Sequence, residues 1–116
     1  MPDSGDARAA LAAARERAVA RLASLEREVG GIVEATQGAG TDDEHDPEGA
    51  TLAFERQHVA ALAQAAREHL ADIDAALSRL ADGSYGTCQA CGQPIGAERL
   101  AARPAARTCI ACTRRR

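Results

Sequence analysis

The chain has 116 residues, 46% hydrophobic but only 2% aromatic, with 17 acids against 14 arginines for a formal charge of −3. Alanine dominates the apolar fraction and buries too little area to build the thick core of a β-sandwich or an α/β layer. The acidic balance also argues against a general DNA binder, which spreads positive charge over its contact surface.

The opening stretch, MPDSGDARAALAAARERAVARL, holds no apolar run long enough for a signal peptide or a membrane span, so a cytoplasmic chain without membrane attachment is expected. Apolar residues then recur at steps of four and three: Ala18, Leu22, Leu25, Val29, Ile32. The same rhythm returns at Val59, Ala63, Ala66, Leu70, Ile73, Leu77 and Leu80. This heptad pattern predicts two helices, over about 6–34 and 46–81, each about 45–55 Å long. Each carries one narrow apolar stripe and is not stable alone. Pairing the stripes as an antiparallel coiled-coil hairpin covers both, and a monomer is expected.

Between the helices, TQGAGTDDEHDPEGAT reads as a connector, with Pro47 suited to the first turn of the second helix. The Gly30–Gly31 pair is expected to fray or bend the first helix. Asp82–Gly83 should stop the second, with glycine in a left-handed cap. Residues 1–83 are thus expected to form the hairpin, with an acidic tip near 41–50, and residues 84–116 a separate module. Charge divides the same way: 8 arginines and 16 acids before residue 84, 6 arginines and one acid after it.

All four cysteines lie in that module, as Cys88–Cys91 and Cys109–Cys112 with 17 residues between the pairs. Each CxxC lets a tight turn aim two sulfurs at one point, which predicts tetrahedral four-sulfur coordination of one structural Zn²⁺. Gly92 follows the first turn, where a residue free to take positive φ helps backbone N–H groups face sulfur. Iron is the competing metal. Four protein thiolates leave no open position for water or substrate, and no nucleophile–base pair is present, so an enzyme is not expected. The metal replaces a hydrophobic core that about 30 residues cannot build.

The stretch GSYGTCQACGQPIGAERLAARPAARTCIAC resembles the C4 zinc finger of the DksA/TraR family of bacterial transcription regulators. The matching positions are Tyr85, Gly86, Cys88, Cys91, Gly92, Ile95, Arg99, Leu100, Ala102, Pro104, Cys109 and Cys112. The resemblance reaches back through DEHDPEGATLAFER, at the tip and second-helix start. It implies direct binding to RNA polymerase with no sequence-specific DNA site, the coiled coil entering the secondary channel with acids at its tip. Here Glu48, Gly49, Ala50 and Thr51 fit the later half of the tip pattern, while His45 falls where the first acid belongs. Asp43 and Asp46 form an acid pair two residues early, so Asp43, Asp46 and Glu48 are the candidate tip carboxylates. Acids at a helix N-terminus also favour its dipole, with Asp46–Pro47 as cap and first turn, but capping accounts for one or two acids and not the five of Asp42, Asp43, Glu44, Asp46 and Glu48.

Arg99, Arg103 and Arg107 give the finger a basic side, and Arg99 and Arg103 are the candidate contacts to the polymerase rim. Some family members bind the nucleotide ppGpp through basic residues of finger and second helix. Arg103 falls on one such position, but Asp72 and Thr113 occupy the other two, which puts ppGpp in doubt as a partner. His45, His58 and His69 have no spacing that builds a second metal site. Two other classes compete. A zinc-ribbon module could grip nucleic acid through CTRRR, though it lacks interleaved aromatics for base stacking. An iron four-sulfur redox carrier has no use for a heptad hairpin.

Overall fold

The computed structural model describes residues 4–38 and 47–115. Two long helices, α1 (Ser4–Gly38) and α2 (Pro47–Asp82), are followed by two short ones, α3 (Ala97–Ala102) and α4 (Ile110–Arg114). Among the described residues extended pairing is limited to one isolated antiparallel bridge, Thr87 with Pro94. The fold is all-α, a helical hairpin with a small cysteine module, as the heptad pattern and the CxxC pairs lead one to expect.

Both helices follow the seam. Every predicted stripe residue is buried or half-buried, from Ala18 to Ile32 on α1 and from Val59 to Leu80 on α2. The seam also extends where it was not expected, through Ala7, Leu11 and Ala14 at the same four–three spacing; Leu11 is fully enclosed at 0% exposure. Pro47 opens α2, where its missing N–H costs nothing. At the other end Gly83 takes φ +87°, and the Ser84 and Tyr85 N–H groups both donate to the Arg79 carbonyl. That six-to-one closure is a Schellman cap, which is why α2 stops there.

The expectation that Gly30–Gly31 frays α1 is not met: the helix runs on to Gly38. Each mid-helix glycine costs only about 1 kcal/mol. The half-buried Val29 and Ile32 flank the pair and hold this part of α1 in the seam. Packing therefore outweighs propensity.

The chain forms two compact units, Met1–Arg17 with His69–Arg116, and Ala18–Glu68. The first takes in the start of α1, the end of α2 and the cysteine module, and Ala7, Leu11, Ile73 and Ala76 are buried within it. An Arg15–Asp74 ion pair of 2.7 Å crosses between its helices, with both side chains about half exposed. In the second, Leu25 packs with Ala63 and Ala66, and Leu22, Val59 and Leu62 cover that cluster. Further along α1, Gly31 and Ile32 lie beside Leu52, Glu55 and Val59, so α2 runs backwards as α1 advances. The pairing is antiparallel. Among the described residues, no helix is long and apolar enough to cross a membrane.

Candidate metal centre

The first CxxC is a tight knuckle. The Cys88 N–H donates to the Gln93 carbonyl at 2.8 Å, and the Gly92 N–H returns to the Cys88 carbonyl at 2.9 Å. Gly92 holds φ +75°, which closes the turn without the strain a side chain would bring. Ile95 N–H to the Gly86 carbonyl, 2.8 Å, anchors the knuckle on the chain that enters it.

The second pair sits on α4. Cys109 is the N-cap residue, so Cys112 comes round the first turn towards the same point. The Thr113 N–H and hydroxyl both donate to the Cys109 carbonyl, each at 3.0 Å. A 2.9 Å bond from the Gln89 N–H to the Arg107 carbonyl ties the two halves together.

The four Sγ atoms consequently lie within 4.8 Å of one another. Cys91 and Cys109 are 3.8 Å apart. A tetrahedral site with Zn–S bonds of about 2.3 Å has sulfur–sulfur edges of about 3.8 Å, so the donor set fits zinc. The thiols respond to this crowding in opposite directions. Backbone N–H groups, that of Cys109 first, pull Cys88 down to about 6. Cys112, crowded by the sulfurs of Cys109, Cys91 and Cys88, is pushed up to about 12. The backbone favours a thiolate at Cys88, while the sulfurs together cannot all charge without a cation. No other group of three or more His, Cys, Asp or Glu among the described residues is close enough to hold a metal.

Around the cysteines is a minimal core of Cys88, Ile95 and Leu100, with Tyr85 and Ala106 packed against it. The Tyr85 hydroxyl donates to the Pro104 carbonyl at 2.8 Å, fastening the loop after α3. Arg79, on α2, is 9% exposed, and its Nη2 reaches the Ala106 carbonyl at 3.5 Å. Burial, aided by the nearby Arg107 charge, lowers its pKa. A buried arginine bonded to the module was not foreseen, because a charged residue in the last turn of a helix reads as dipole compensation.

Of the two candidate rim arginines, Arg103 is exposed, whereas Arg99 is half-buried. Arg99 Nε donates to the Thr108 carbonyl at 2.8 Å and Nη2 to the Thr113 hydroxyl at 3.1 Å, so its guanidinium braces the second knuckle from within. Arg107 pairs with Asp72 at 2.5 Å. Arg99, Arg103 and Arg107 line a cleft of about 810 Å³ together with Arg17, His69 and Asp72. Asp72 and Thr113, the two residues that break the basic set, are thus both engaged by arginines of this chain. Asp43 and Asp46 lie outside the described residues, as does His45; Glu48 is the second residue of α2.

Residues 83–116 match the sequence profile of the prokaryotic dksA/traR C4-type zinc finger. YteA of Bacillus subtilis (strain 168) is 42% identical over 66 residues, which is 57% of this chain and 28% of that protein. An RNA polymerase-binding transcription factor DksA of Caulobacter vibrioides is 55% identical over 40 residues, 34% of this chain and 28% of that one. Both matches thus take in little more than a quarter of the relative's length. The solved structure of transcription factor DksA2 from Pseudomonas aeruginosa aligns with a TM-score of 0.77 and 32% identity. That alignment covers 99% of this chain and 89% of the other.

Proposed function

The chain belongs to the DksA/TraR family, and on that premise we propose that it is a transcription regulator that binds RNA polymerase directly and is not an enzyme. One observation carries the reading: a seam-paired helical hairpin and a four-sulfur module occur in one short chain, and nearly its whole length aligns with DksA2. In this reading Cys88, Cys91, Cys109 and Cys112 hold one zinc ion, which closes the finger by charge neutralisation and supplies no reactive position. Residues 1–83 act as the hairpin and 84–116 as the finger. The hairpin enters the secondary channel, where Asp43, Asp46 and Glu48 bring carboxylates towards the Mg²⁺ of the catalytic centre, a cation that prefers oxygen ligands. Exposed Arg103 is the better candidate for contact with the rim, because Arg99 is held inside the finger. Asp72 neutralises Arg107, and this gives no support to ppGpp as a partner.

Purified, zinc-loaded protein should capture core RNA polymerase in the absence of DNA. Capture only when nucleic acid is added would overturn the reading and favour a nucleic-acid module.

A further inference from the structure

Gly30 and Gly31 stand side by side well inside the 35-residue α1, with open space where a Cβ would be at either position. Neither has positive φ. Glycine is less favourable than alanine in a helix interior, and here neither backbone conformation nor a packed neighbour requires it. Gly31 borders a groove of about 390 Å³ between the long helices, lined by Ile32, Leu52 and Val59 and flanked by Glu28 and Glu55. A Cβ at 31 would meet no other atom within 4 Å, so a side chain there starts in open space at the groove's edge. Phe54, the only phenylalanine of the chain, is 75% exposed and lies one turn before His58, which also lines the groove.

We propose that this groove, with Phe54 beside it, is a docking site for an apolar side chain flanked by Lys or Arg on RNA polymerase. The inference rests on the polymerase-binding reading and adds the surface through which the hairpin is gripped. Charge selects the occupant. The unit Ala18–Glu68 carries 10 acids against 4 arginines. A second copy of this unit, a nucleic acid or an anionic membrane would each bring like charge to Glu28 and Glu55. A basic, apolar protein segment meets both the groove and its carboxylates. Phe54, exposed and one helical turn from His58 of the groove, offers an aromatic that a partner could bury as an anchor.

The test is a titration of core RNA polymerase with the labelled, zinc-loaded full chain, alongside its Gly31→Leu, Phe54→Ser and Gly30→Ala variants. Melting curves accompany each titration. Gly31→Leu should melt no lower than wild type yet bind about 10-fold more weakly or worse, since it fills the groove. Phe54→Ser should lose affinity to a similar degree with unchanged melting, and Gly30→Ala should bind as wild type does. Wild-type affinity in Gly31→Leu overturns the proposal, whatever Phe54→Ser does. Self-association that Gly31→Leu abolishes while polymerase binding persists would assign the groove to a second copy and overturn it too. If the wild-type chain itself fails to bind polymerase, the regulator reading falls along with the occupant named here.

Discussion

The two units of this protein solve the same shortage of large side chains in different ways. The unit that contains the finger closes a core of three buried residues, Cys88, Ile95 and Leu100, beside the cysteine cluster, and encloses Leu11 and Ile73 on its long helices almost completely. It carries 10 arginines against 7 acids. The Ala18–Glu68 unit buries one leucine and two alanines in its cluster, leaves half of its seam positions only half-buried, and is strongly acidic. One is fastened by coordination and hydrogen bonds, the other by a thin seam that self-repulsion works against. Local opening should therefore begin in the acidic unit and leave the finger for last while zinc is bound.

The largest effect should come from the metal. Cys109→Ser removes one ligand from a site whose metal contributes about 10–16 kcal/mol in small zinc-dependent folds. Zinc content should fall to near zero, and amide signals of residues 84–115 should collapse to those of an unfolded chain. Most of the circular dichroism at 222 nm should survive, since α1 and α2 hold most of the helix. Collapse of both together would show that the hairpin depends on the finger far more than the comparison implies. Next come the seams. Ile73→Ala, at a side chain only 1% exposed, should destabilise by about 3–5 kcal/mol. Leu25→Ala, 5% exposed in a cluster whose other buried members are two alanines and whose larger neighbours are only half-buried, should cost about 2 kcal/mol. Reversal of that order in thermal denaturation would mean that the acidic unit is the better packed of the two. The smallest effect concerns the Arg107–Asp72 pair, about half exposed on both sides. Asp72→Asn should cost at most about 1 kcal/mol, and the difference should shrink as salt is raised.

Much of this was legible in the chain itself. Five seam positions on α1 and seven on α2 stand out because Leu, Val and Ile alternate there with charge. Ala7 and Leu11 were hidden by composition: Ala9, Ala10, Ala12 and Ala13 surround them, so no face of that stretch contrasts with another. The cysteine cluster was legible from spacing alone. The inward roles of Arg79 and Arg99 were not, because their partners are the carbonyls of Ala106 and Thr108, and backbone acceptors leave no trace in side-chain pattern. The persistence of α1 past Gly30–Gly31 was misjudged for a related reason: propensity is local, and the contact that overrides it comes from α2.

In the proposed function, binding to polymerase and control of polymerase fall to different parts of one chain. The most direct test replaces Asp43, Asp46 and Glu48 together by Asn, Asn and Gln, then measures polymerase affinity and promoter output in vitro on the same preparation. Affinity should stay within a few-fold of wild type, while the effect on transcription from a responsive promoter should largely disappear at saturating protein. Unaltered promoter output from the neutralised protein would contradict the account and transfer the regulatory role to the finger.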